Sequence, residues 1–318
     1  MFLTVTSRRL YLALTAVFAA NIALLAGTRA TLDLSNIGWP VMMAAGFAAL
    51  FAWTFRLEAA GRPAPRARIF CEAMLFTVLL SMNVPVLNHL TMMAPFSYAD
   101  PLLNVMDVAL GLDWLAYFEF VHARPALIAA MELSYNYLTP VGLSVMAALI
   151  LMGRIGRVRF HLEVFFYTAI FCIIVGAAFP ALAAVQMYIP DLAAYPNFAN
   201  PPGVYHLPWM EALRDPARAV VMDPNNLPGL VTFPSFHTAS GILLCIVAWR
   251  TWLFAPIAVY AGLMIAASPI FGGHYFIDLA AGALAALAAA ALVARQRHHA
   301  DLFAQTRRET AESTVQIA

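Results

Sequence analysis

The sequence predicts an all-α fold: a polytopic membrane bundle of about eight transmembrane helices, with an interfacial amphipathic segment and a long external loop. Three observations predict it. Of the 318 residues, 63% are hydrophobic and only 11% charged, whereas a soluble domain carries about a quarter charged residues. The apolar residues fall in runs of roughly membrane-spanning length. The cations collect in the links between those runs. A soluble globular domain and a disordered chain are both excluded. The net charge of +1 points to no charged partner, and no nucleic-acid partner is expected.

Arg8-Arg9 precede the first apolar run, Leu10 to Gly27. No clear small-residue cleavage site follows, so the run reads as a retained helix rather than a signal peptide. A second run covers 37–55 and a third 69–90, joined by a Pro- and Arg-rich link, Gly61 to Arg68. The stretch Thr91 to Arg124 is too polar to span. There Asp107, Asp113 and Glu119 interleave with Leu102, Leu103, Val108, Leu110, Leu115 and Phe118, as in an amphipathic segment lying along the interface. A fourth run covers 126–152, followed by Arg154, Arg157 and Arg159, and a fifth covers 162–185. Gln186 to Leu230 is a long polar loop holding His206, Glu211, Arg214, Asp215 and Arg218; loops of that length are functional or disordered. The last three runs are 236–253, 256–271 and 275–294. The final one is rich in Ala and Gly, as close helix packing in lipid favours. Residues 1–294 therefore read as one membrane domain, and 295–318 as a flexible cytoplasmic tail. Cys71, Cys172 and Cys245 all lie inside apolar runs, which speaks against a disulfide or metal framework.

All eighteen cations are Arg, a bias expected of a GC-rich bacterial genome. With the N-terminus in the cytoplasm and eight alternating helices, fourteen of the eighteen fall inside; Arg29, Arg124, Arg214 and Arg218 fall outside. The excess of cytoplasmic cations selects this orientation. It places both termini in the cytoplasm and the stretches 91–124 and 186–230 on the external face. The expected location is a bacterial inner membrane with that face in the periplasm.

The chemistry concentrates in Val231 to Gly282. Phe233-Pro234-Ser235-Phe236-His237 opens the sixth helix, and Gly272-Gly273-His274 leads into the eighth, with Asp278 one turn on. Helices six and seven form a hairpin, which returns the chain to the face it left, so His237 and His274 should meet there. Positions i and i+4 share a helix face, so Asp278 can orient the ring of His274. An ionisable group at membrane depth marks a site by default. The plainer alternatives are an interhelical hydrogen bond for Asp278 and a structural helix-start histidine for His237. Gly272-Gly273 lets the backbone approach an anion at the start of the eighth helix, or merely turns the chain. Ser235 caps the sixth helix or donates to an anion. Two histidines with a carboxylate suit acid–base or nucleophilic chemistry.

The segments FPSFHTASG and GGHYFIDLAAG resemble the second and third signature blocks of the phosphatidic acid phosphatase type 2 superfamily. Their PSFH and GGHYxxD forms are most similar to its inositol phosphorylceramide synthase-type, or inositolphosphotransferase, branch. The resemblance is specific over residues 231–282. It implies a membrane lipid-phosphate phosphotransferase or phosphatase needing no metal or cofactor. It also implies the roles: His274 attacks phosphorus to form a phosphohistidine, Asp278 orients it, and His237 protonates the leaving group. The substrate implied is a lipid phosphate or phospholipid, with water or an alcohol as acceptor.

Two departures stand out. Ser268 occupies the position where the third block carries Arg, and the chain has no Lys for the first block. The Arg124-Pro125 pair has Tyr117, not Lys, seven residues earlier. Transferring phosphate needs positive charge at the site. Arg214 and then Arg218 are the candidates, with Ser235 and Gly273 as further phosphate ligands. The alternative for both arginines is pairing with Glu211, Asp215 or lipid phosphates. Arg29 is expected to stand apart. Glu132, Tyr135, Asn88 and His89 also face the site or serve as packing hydrogen bonds. A competing reading is a non-catalytic lipid-binding or transport protein with structural histidines, which helices broken at mid-membrane would mark.

Overall fold

The computed structural model describes residues 7–297, so most of the expected tail, 295–318, lies outside the described residues. Among the described residues there are thirteen α-helices, one short 3-10 helix and one two-stranded sheet. Nine of the helices make up the eight expected apolar runs. They are α1 (Ser7–Gly27), α2 (Gly38–Ala59), α3 (Pro65–Met92), the pair α6 (Pro125–Asn136) and α7 (Leu138–Leu151), α8 (Ile155–Ala178), α11 (Phe236–Ala248), α12 (Phe254–Phe271) and α13 (Phe276–Arg297), the pair counting as one run. Six are long and apolar enough to cross a membrane, or seven if the α6–α7 pair counts as one span. The chain is a multi-pass membrane protein.

Two runs differ from the expected spans. The fourth is bent by 60° at Tyr137. Pro140 explains the position: it lacks an N–H and its ring crowds the carbonyl four residues back, Asn136, where α6 stops. The sixth ends at Ala248 rather than Leu253, because Arg250 adopts a left-handed backbone (φ 56°). Thirteen residues reach about 20 Å, short of a hydrocarbon core of about 30 Å. The fifth run starts earlier than expected, since α8 takes the arginine cluster into its first turns. Arg157 donates to Val247 O at 2.8 Å, and Arg159 sits 3.5 Å from Glu72. Glu163 pairs with Arg297 at 2.8 Å. α8 stops at Ala178, one residue before Phe179-Pro180, where proline disfavours helix at the preceding position.

Lipid contact accounts for what stays exposed. On α2, Trp39 is 69% and Trp53 53% exposed, and Thr54 is its buried residue. An apolar face of that kind is costly in water and ordinary against acyl chains. The main core lies between α1, α3, α7, α8 and α11, around Leu14, Phe76, Leu149, Phe166 and Leu244.

A cap covers one end of the bundle. The expected interfacial segment is two helices, α4 (Asp100–Ala109) and α5 (Trp114–His122). Its amphipathicity is turned around: Leu102, Val105 and Val108 face outward, while Asp100 and Asp107 are buried. The long loop contributes α9 (Ala184–Tyr188), α10 (Leu207–Arg214) and strand β2 (Val220–Met222). Strand β2 pairs in parallel with β1 (Ala30–Leu32), with Ala30 opposite Val220. Arg29 is therefore not remote: it donates to Leu213 O and Arg218 O, both at 2.6 Å, and ties the long loop to the end of α1. The cap has its own core around Trp114, Phe118, Ile270 and Tyr275.

Candidate active site

His274 lies in the turn between α12 and α13. Its Nδ1 is 3.2 Å from Asp278 Oδ2, one turn into α13. With the Asp278 carboxylate accepting a hydrogen bond from Nδ1–H, the other nitrogen, Nε2, carries the lone pair. That Nε2 is 3.2 Å from Ser235 Oγ. Ser235 caps α11, its Oγ accepting from Thr238 N at 3.3 Å, and its own N–H donates to Asp278 O at 3.0 Å. Gly282 permits this approach; a Cβ there would sit 2.2 Å from Ser235 O. The motif halves that open α11 and α13 therefore touch directly. Burial holds the His274 imidazole down, to about 4 against an ordinary 6.5, so the ring stays neutral at physiological pH.

The cap grips this turn from several sides. Asp107, fully buried, accepts from Phe276 N at 2.7 Å and Ile277 N at 2.8 Å. Asp100 accepts from Leu182 N at 2.9 Å and Ala183 N at 3.1 Å, and Tyr275 donates its hydroxyl to the same carboxylate at 3.0 Å. Ala184 N donates to Gly273 O at 2.8 Å, and Trp114 Nε1 donates to His274 O at 3.1 Å. Asp278 Oδ2 also accepts from Tyr275 N at 3.0 Å. One expectation is corrected here. The first free N–H groups of the last helix are not open to a substrate anion; the Asp107 carboxylate already accepts from Phe276 N and Ile277 N. Gly273 is accounted for by geometry alone, since its φ is +68° and a Cβ would lie 2.7 Å from Ala183 Cβ.

His237 has a different setting. Its ring stacks on Tyr135, with centroids 4.0 Å apart and planes at 18°. Among the described residues no hydrogen bond holds it. It lines a cavity of ≈ 210 Å³ together with Asn88, Tyr135, Tyr205 and apolar residues of α3 and α8. A second cavity of ≈ 140 Å³ lies deeper, against Gly142, His161 and Ser240. The two share Leu80, Phe165 and Phe236 as wall residues.

The structure brings His237, His274, Asp278 and Ser235 together, with Tyr135 between the histidines. It does not bring the expected arginines to them. Arg214 donates to Phe96 O at 2.7 Å and lies 5.1 Å from the Tyr98 ring centroid. Arg218 is exposed, its carbonyl held by Arg29. Arg124 covers Phe120 at 3.7 Å. His89 turns away, its Nδ1 donating to Pro85 O and its ring against Trp209. Sequence reasoning read Asp107 only as part of an amphipathic pattern and missed Asp100, Trp114 and Tyr205. One signal was present: two acids seven residues apart, Asp100 and Asp107, on one helix face.

The fold and this cluster define a multi-pass membrane protein with a histidine–carboxylate site beneath a cap at one end. The sequence model of the PAP2 superfamily matches residues 101–292. That stretch is more than half of the chain, and the chain belongs to the PAP2 superfamily. Membership supports a phosphatase or phosphotransferase kind of activity. No curated protein and no solved structure matches the chain.

Proposed function

We propose that the chain transfers phosphate from a membrane lipid through a phosphohistidine on His274. His274 Nε2 attacks phosphorus and the bond to the leaving oxygen breaks, that oxygen taking a proton from His237. His237 then takes a proton from water or an alcohol. The new oxygen attacks phosphorus, the N–P bond breaks, and His274 is restored. Asp278 keeps the Nδ1 proton in place throughout, and Ser235 steadies the phosphate. One observation carries this reading: Nδ1 of His274 faces the Asp278 carboxylate, which leaves Nε2, beside the capping hydroxyl of Ser235, as the nucleophilic nitrogen.

The acceptor separates phosphatase from transferase, and the resemblance in the two blocks leans toward head-group transfer of the inositolphosphotransferase kind. We place the site on the external, periplasmic face of a bacterial inner membrane, since the arginine distribution supports that orientation. The deciding experiment measures phosphate release from lipid phosphates, with and without candidate alcohols, alongside rapid-quench trapping of an acid-labile, base-stable phosphoprotein. No turnover on any lipid phosphate or phospholipid would sink the reading. A transport reading draws on the break between α6 and α7. It predicts lipid movement across vesicles that survives His274→Ala.

A further inference from the structure

Phosphate needs donors, and the arginines face elsewhere. We propose that the phosphate is held by uncharged hydroxyls, those of Tyr135 and Tyr205 together with Ser235, and that the site therefore selects a phosphate bearing a single negative charge. The inference rests on the phosphohistidine reading above.

Tyr135 comes near the end of α6, just before the break, and lies flat against His237. Its hydroxyl reaches across to the other histidine. A Cβ on Gly272 would sit 2.7 Å from Tyr135 Oη and 2.9 Å from His274 Nε2. The two atoms are thus close neighbours across Gly272, where only a residue without a side chain fits. Ser235 Oγ borders His274 Nε2 from the α11 side at 3.2 Å. Tyr205 lines the same cavity as Tyr135 and His237. The hydroxyls of Tyr135 and Ser235 therefore lie close to His274 Nε2, while Tyr135, Tyr205 and His237 border one cavity. That cavity has no Arg in its lining, and the chain contains no Lys.

The chemistry of such a donor set differs from that of guanidinium groups. A hydroxyl gives a directed hydrogen bond but no charge, and charge-assisted bonds are roughly twice as strong. In a low-dielectric site an unmatched second negative charge is expensive. Uncharged donors therefore suit a monoanion. That species has two sources: a phosphodiester lipid at any physiological pH, or a phosphomonoester below its second pKa of about 6.

The test uses the full-length protein in detergent or vesicles. Tyr135→Phe and Tyr205→Phe keep the rings, including the stack on His237, and remove only the hydroxyls. Tyr135→Phe should lower kcat/KM about 100-fold, the usual cost of losing one preorganised donor, and should weaken inhibition by vanadate by a similar factor. At pH 8 a lipid phosphodiester should be turned over better than the matching phosphomonoester. Monoester turnover that emerges at pH 5.5 identifies the protonated monoester as a second source. A monoester preferred at pH 8 overturns the proposal. So does a Tyr135→Phe protein as active as wild type, or an Arg214→Ala protein that is inactive while Tyr135→Phe is not. Wild type inactive on both lipids marks failure of the phosphohistidine reading instead.

Discussion

The two histidines stand in opposite kinds of wall. The His274 wall is over-determined: the ring is fixed by Asp278, its carbonyl by Trp114, and the turn by Asp107 and by Ala184. The His237 wall is loose, one flat contact with Tyr135 beside a cavity. On the proposed mechanism the difference has a reason. A nucleophile must meet phosphorus in line, and an error of about 1 Å is costly. A proton carrier serves two oxygens in turn, and a ring that is stacked but not bonded keeps the freedom to do so.

The largest effect should come from removing either ring. His274→Ala and His237→Ala should each lower turnover by at least about 10⁴-fold with expression unchanged, since residues acting as a unit fail singly. Only the His237 variant should still accumulate phosphoprotein, because its His274 wall is intact. Equal trapping in both variants would erase the contrast between the walls.

Loosening the fixed wall comes next. Asp107→Asn keeps the side-chain shape but replaces one acceptor oxygen with a donor facing the start of α13. Losing a buried charged hydrogen bond costs about 1.5–3 kcal/mol. The melting temperature should fall, and kcat should drop roughly 10-fold by the same arithmetic of small displacements, with KM little changed. An unchanged kcat with a lowered melting temperature would make the clamp merely structural.

The loose wall can be tested by filling the deeper cavity. Gly142 lines it, and nothing lies within 4 Å of a Cβ placed there. Gly142→Leu should therefore fold normally. It should raise KM for long-chain lipid substrates several-fold, by removing apolar contact area, and leave short-chain substrates unaffected. Equal effects on both chain lengths would separate the cavity from lipid binding.

The smallest effect concerns pH. Free histidine titrates near 6.5, but in the folded chain His274 does so at about 4. Between those values the unfolded chain binds the proton and the folded chain does not, so this group lowers stability as pH falls from 6.5 toward 4. With a lipid phosphodiester, whose charge does not change in this range, protonation of His274 should accordingly not slow phosphohistidine formation between pH 7 and about pH 5. A midpoint near 6.5 would show a solvated ring and a looser wall than the geometry describes.

How much was legible follows from the range of each interaction. Hydropathy located eight apolar helical segments because each records its own solvent. The contact between His274 and Asp278 was readable because a residue just ahead of a helix lies within reach of that helix's first turn, and the Ser235 cap because a helix start is a local event. The break at Tyr137 was readable in principle from Pro140, yet the length of the run masked it.

Tertiary structure alone decided the rest. Asp107 reaches Phe276 across 169 positions, Trp114 reaches His274 across 160, and Arg29 reaches Leu213 across 184. No spacing rule links such pairs; they meet because the cap folds over the bundle and turns its carboxylates inward. The arginines illustrate the same point. Their number on one face could be counted in the sequence, but a long side chain sweeps a wide arc. Whether Arg214 met the histidines or Phe96 was settled by how α10 packs against the end of α3, a choice that composition and periodicity do not encode.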